Sequence, residues 1–295
     1  MSFSVHCTRR RLFAAASAVT FLVGITHAVD AAPKARLWKR WLAHQEGSTI
    51  RVDHSPWGQF LSTYLSSHED GVNRVAYGAV TPGDKKALES YIAVLEAAPV
   101  SRLNREEQLA YWINLYNALT VKVVLDLYPV KSIRDINISP GWFSRGPWGK
   151  KLSTVEGEHL SLDDIEHRIL RPIWRDPRIH YAANCASLGC PNLAPVPYTA
   201  DTADAMLTAN ARNFVNHPRG VSVTEKGLIV SSIYKWFKED FGGTDRGVIE
   251  HLRTYASPEL SERLAGVARI YDDQYDWRLN GAKSQRLLST IPNAP

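Results

Sequence analysis

The stretch EEQLAYWINLYNALTVKVVLDLY, Glu106–Tyr128, decides the fold. Asn104 and Glu107 form a capping-box pattern at its start. Leu109, Trp112, Ile113, Tyr116, Leu119, Val123, Val124 and Leu127 share one broad apolar face. Asn114 and Asn117 lie on another stripe with Ala110, Val121 and Leu125, so little of the helix faces water. A buried amide left unpaired costs roughly 1 to 3 kcal/mol. Both are therefore expected to hold the backbone of a neighbouring loop, with direct contact to a substrate as the alternative.

Upstream, Lys34 to Gln45 and Pro56 to His68 carry helical spacing, and Thr81-Pro82 starts a helix through Leu95. Downstream, ISPGWFSRGPWGKK (138–151) sets Trp142 and Trp148 among Gly and Pro, as in a lid or binding platform. Lys151–Val155 and Glu158–Leu160 read as a hairpin that ends near His159. Ser161 then caps LDDIEHRILR (162–171). At 100° per residue Glu166 falls on the apolar sector of Leu162, Ile165 and Ile169, while Asp163, Asp164, His167 and Arg168 fall outside it and should be solvated. A buried carboxylate needs an arginine as ion partner or a histidine to orient.

Ile179–Ala183 reads as a strand into HYAANCASLGCP (180–191), followed by a helix at Thr202–His217. A hairpin (Gly220–Ser231), helices at Asp245–Tyr255 and Pro258–Ala265, and a strand at Val267–Tyr271 complete the chain. The fold class is α+β: mixed helices with short antiparallel strands and no regular βαβ rhythm. Three ordered motifs, AYWINLYNAL (110–119), LSLDDIEHRILR (160–171) and IHYAANCASLGCP (179–191), resemble the family of domain of unknown function 547 over roughly Asn104 to His217. The resemblance implies a fold relationship and marks these motifs. It brings no activity.

Arg9, Arg10 and Arg11 precede an apolar run from Leu12 to Ile25, with small residues at Ala28 and Ala31. This has the build of a cleaved export signal, by the Sec or the twin-arginine route, and implies a periplasmic or secreted protein. The expected organisation is a signal at 1–31, a helical region at 32–102, a central domain at 103–217 and a C-terminal hairpin with helices at 218–295. The chain has 35 Lys+Arg and 30 Asp+Glu; without Arg9, Arg10, Arg11 and Asp30 these fall to 32 and 29. A net charge of +3 with no dense basic run argues against nucleic-acid binding, and no segment of the mature chain is built to span a membrane.

Cys185 and Cys190 admit several readings. In an exported chain a disulfide is expected, shaping a loop used as a binding or functional surface. Alternatively Cys185 is the nucleophile of a hydrolase or acyl transferase acting on an amide or ester, with His180 or His159 as base and Glu166 as orienter. Zinc held by His180, Cys185 and Cys190 is a weaker reading, and without a C-x-x-C pair nothing suggests thiol–disulfide exchange. No cofactor, metal, substrate or partner is named by these residues.

Overall fold

A computed structural model describes Met1 and residues 33–141 and 145–282; residues 2–31 of the expected export signal, with Cys7, and Trp142 lie outside the described residues. Helix α1 (Ser55–Tyr64) leads into the paired strands β1 (Leu65–Ser67) and β2 (Asn73–Val75), then α2 (Pro82–Ala97) and α3 (Arg105–Leu127). The Thr81 hydroxyl accepts the Asp84 N–H at the head of α2, and Asn104 Oδ1 accepts the Glu107 N–H at the head of α3. The Glu107 carboxylate does not close a capping box; it accepts the Val52 N–H at 2.7 Å and ties the preceding segment to α3. In α3 every residue from Ala110 to Val121 is buried.

Strands β3 (Ser153–Val155) and β4 (Glu158–Leu160) form the expected hairpin around Glu156 and Gly157, both with positive φ. A π-helix (Asp164–Leu170), α4 (Arg171–Trp174) and a 3-10 turn (Pro177–Tyr181) follow, then α5 (Ala203–Val215). Strands β5 (Val221–Thr224) and β6 (Gly227–Ser231), helices α6 (Ile233–Trp236), α7 (Asp245–Tyr255) and α8 (Pro258–Arg263), and strand β7 (Ile270–Gln274) close the described chain. The class is α+β. One pairing departs from the antiparallel expectation, since β7 joins β6 in parallel.

Two apolar clusters fill the interior. One surrounds α3 and runs from Trp41 to Leu207; the other joins Tyr181, Phe214 of α5, the β5–β6–β7 sheet and Val248, Ile249 and Leu252 of α7. The chain passes between them at Tyr181 and Ala182, directly ahead of the cysteine loop.

Three local expectations are corrected. Only a 3-10 turn, Lys39–Leu42, forms within 34–45, because the backbone beside it is engaged elsewhere: the Arg36 and Trp38 N–H groups donate to the carbonyls of His167 and Arg168. The 162–171 segment is wound mainly as a π-helix, whose wider turn rotates side chains away from 100° spacing. Asp164 and His167, expected in solvent, are consequently buried, while Glu166 is buried as expected. Residues 179–183 are not a strand, since Pro177 and the Asp176 carboxylate, which accepts the Arg178 N–H, start a 3-10 turn instead.

Two histidines away from the cysteines report on the packing. His54 Nδ1 lies 2.6 Å from the Tyr91 hydroxyl and His251 Nε2 lies 2.7 Å from the Tyr181 hydroxyl. Burial holds both imidazoles down to about 4. Folding therefore favours their neutral forms. Their contribution is complete above pH 6.5 and is lost as pH falls through 4, by about 2 to 3 kcal/mol each. Urea unfolding at pH 7 and pH 4.5 should read this loss, and equal free energies at the two pH values would refute the account.

Candidate functional site

The cysteine loop is built on α3. Asn117 Nδ2 donates to the Ala182 carbonyl at 3.0 Å, and its Oδ1 accepts the Asn184 N–H at 2.9 Å. Asn114, one helical turn earlier, makes the same two-way bond to the carbonyl and N–H of Tyr198. Both amides thus spend their polar atoms on loop backbone, and neither is left to face a substrate oxyanion.

Inside the loop, Asn184 Nδ2 reaches across to the Pro191 carbonyl at 2.7 Å, and Asn184 Oδ1 accepts the Ala186 N–H. That short circuit holds Ala186 in the left-handed region, at φ 56°. The C-terminal segment then lies along the loop: Leu188 and Gly189 donate to the carbonyls of Arg278 and Asp276, and Asn280 donates to that of Ala186. A Cβ at position 189 would come within 2.6 Å of the Asp276 nitrogen. Only glycine permits this approach.

Cys185 and Cys190 are free thiols, so the expected bridge is not formed. The Cys190 sulfur accepts the Cys185 N–H at 3.1 Å, while the Cys185 sulfur faces the Tyr275 hydroxyl at 3.0 Å and the Ser187 hydroxyl at 3.2 Å. Those two hydroxyls are 2.8 Å apart. Hydrogen bonds from the Cys190 thiol, Ser187 and Tyr275 pull the Cys185 thiol below its ordinary range against the opposing effect of burial. Burial drives the Cys190 thiol and the Tyr275 hydroxyl well up. Of the two sulfurs, Cys185 is the one that gives up its proton more readily. Tyr275 and Ser187 were absent from the sequence reading, although Ser187 stands within the motif itself.

The other predicted residues assemble into a separate buried cluster. Glu166 Oε1 lies 3.6 Å from His180 Nδ1, whose Nε2 lies 2.7 Å from Asp240 Oδ2. Arg171 Nε donates to the same Asp240 oxygen at 2.6 Å, and the His180 ring stacks on Phe237 at 4.3 Å. Burial would raise the Glu166 pKa, but His167, His180 and Arg171 outweigh it and hold the carboxyl at about 2. Both nitrogens of His180 therefore face carboxylates, and among the described residues no histidine is within hydrogen-bond reach of the Cys185 sulfur. The Glu166 charge works against a thiolate at Cys185. His159 is exposed on β4, bonded to Thr154, outside both groups. Among the described residues no set of three His, Cys, Asp or Glu is placed to hold a metal ion.

Trp148 joins an aromatic group that reaches the sulfur. It meets Trp277 edge-on at 5.8 Å; Trp277 contacts Trp236 and Tyr275 at 5.4 and 4.6 Å, and all four rings are partly exposed. Tyr275 carries this wall to Cys185.

A protein-family model described as "Protein of unknown function, DUF547" matches residues 100–215. No curated protein and no solved structure matches the chain.

Glu166→Ala should destabilise by about 3 kcal/mol in urea unfolding, because it removes from a buried cluster one of the two carboxylates that face His180 and lie near the Arg171 charge. A change near zero would mean that the cluster is electrostatically slack. Asn117→Ala should cost about 2 kcal/mol by stranding a buried carbonyl and N–H, and should accelerate amide exchange at Asn184 above all.

Proposed function

We propose from the side chains themselves that the chain is an exported hydrolase or acyl transferase that attacks an amide or ester with Cys185; the family model that matches residues 100–215 names no activity. The observation that supports this most is the convergence of the Cys190, Ser187 and Tyr275 donors on one sulfur, which favours thiolate without a histidine base. In this reaction the thiolate adds to the carbonyl carbon and the C–N or C–O bond breaks. The leaving group takes a proton through the Ser187–Tyr275 hydroxyl pair. Water or an acceptor then releases the acyl group and restores the thiol. Trp148, Trp236 and Trp277 give an apolar part of the substrate a wall to rest on. The export component rests on the Arg9–Arg11 and Leu12–Ile25 pattern.

Reduced protein titrated with iodoacetamide should show Cys185 half-reactive below the roughly pH 8.5 of an ordinary thiol. Tyr275→Phe should move that midpoint upward. With p-nitrophenyl acetate as probe, a burst of nitrophenol should accompany an acetyl adduct on Cys185, and Cys185→Ala should abolish both. An ordinary midpoint with no adduct would sink the nucleophile. Intact mass of protein recovered outside the cytoplasm should place its first residue near Val29 or Ala32; a retained N-terminus would remove the export component.

A further inference from the structure

Two free thiols in one loop raise the question of what the second one does. Cys190 is 4% exposed and its sulfur lies against the Cys185 N–H, whereas Cys185 is only partly buried. The loop that carries them does not depend on a bond between them. Asn184 spans it to Pro191, Cys190 N–H donates to the Ser187 carbonyl, and the 276–280 backbone and Asn117 clamp its outer edges. A staple placed here would add little, since the ring is already closed by hydrogen bonds. What the arrangement does provide is one reachable sulfur, one sheltered sulfur, and a backbone that holds the pair together before any bond forms.

We propose that Cys185 and Cys190 are a reversible dithiol–disulfide couple that reduces small-molecule disulfides, with Cys185 attacking and Cys190 resolving. This rests on the nucleophilic sulfur of the preceding reading but not on acyl chemistry. The Cys185 thiolate attacks one sulfur of R–S–S–R, that S–S bond breaks, and the departing thiolate takes a proton to leave as RSH. The Cys190 thiol then gives up its proton and its sulfur attacks the Cys185 sulfur of the mixed disulfide. The second thiolate leaves with that proton. Two electrons have passed from the protein to the substrate, with one proton from the Cys190 thiol and one from solvent; the substrate becomes two RSH, and the protein holds a Cys185–Cys190 bond. The Tyr275 and Ser187 hydroxyls serve the reverse direction as well. By stabilising Cys185 as a thiolate they make it the better leaving group in the last step of that direction, when a second RS⁻, having followed the one that expelled Cys190, attacks the outer sulfur of the Cys185 mixed disulfide. The absence of a C-x-x-C motif is no obstacle, because Asn184 and the positive φ of Ala186 fold a four-residue spacer back on itself.

The test uses the reduced full chain and oxidised glutathione. Wild type should lose both free thiols, gain a Cys185–Cys190 cross-linked peptide, and recover both thiols in excess reduced glutathione. Cys190→Ser should stop at a glutathione adduct on Cys185. Cys185→Ser should form adduct at Cys190 slower by on the order of a hundredfold or more, as thiol state and access dictate. Adduct formed first at Cys190, no internal bridge, or a bridge that reduced glutathione cannot reopen in the folded chain would each overturn the proposal. Circular dichroism melts of both variants, superimposable on wild type, keep the comparison free of misfolding. The nitrophenol burst on wild type separates this from the acyl reading: a Cys185–Cys190 bridge formed by a protein that gives no burst upholds this proposal and sinks the acyl reading, and a burst without a bridge does the reverse.

Discussion

The pair of hydrogen bonds between Asn117 and the loop backbone is the constraint on which the site rests. An amide carries one strong acceptor and donors at a fixed separation, which suits it to a carbonyl and an N–H two residues apart. No apolar residue on α3 could offer that grip, and a charged one would be too costly on a face without water. Because α3 is buried from Ala110 to Val121, it cannot yield toward solvent, and what Asn117 holds is held rigidly. Asn114 repeats the bond at Tyr198, so segment 182–198 is fixed near both ends to one rod. The sulfur of Cys185 is thereby positioned by main chain rather than by its own packing.

The charged cluster and the sulfur then divide the chemistry. Glu166, His180, Asp240 and Arg171 satisfy one another within a buried network, leaving His180 no nitrogen turned away from a carboxylate. A cationic histidine beside Cys185 would favour thiolate more strongly than any hydroxyl. Here the nearby carboxylate opposes that charge, and neutral donors overcome it. Activation by hydroxyl groups depends on aim, since each bond weakens steeply when misdirected. In the proposed reaction, rigidity of the loop is therefore a chemical requirement and not only a matter of stability.

Much of the scaffold was readable in the sequence, and the limits follow from how each signal arises. The span of α3, its Asn104 cap and the 153–160 hairpin come from local spacing and turn chemistry, which survive without knowledge of the rest of the fold. Burial of Glu166 was readable for the same reason. His167 was misplaced because a π-turn breaks the 100° rule, and nothing local announces it. Residues 179–183 resemble a strand by composition, but Pro177 and Asp176 impose a tight turn. Neither Asp240 nor Tyr275 was readable as a site residue, for each approaches from far along the chain, 60 residues beyond His180 and 90 beyond Cys185.

Tyr275 also changes what the matched family segment means physically. Residues 100–215 contain both cysteines, Ser187, Asn117 and Glu166, yet the Tyr275 donor and the backbone that closes over Gly189 come from the end of β7 and the segment after it. Those residues are placed by a sheet whose apolar face belongs to the second cluster, packed on α5 and α7. The loop lies where the chain crosses from that cluster to the one around α3. Each cluster thus supplies what the other lacks: α3 fixes the sulfur's position, and the β5–β6–β7 sheet delivers a hydroxyl that faces it. Bringing the last strand against residue 189 requires a position without a Cβ, so Gly189 ties the composition of the motif to a partner segment outside it.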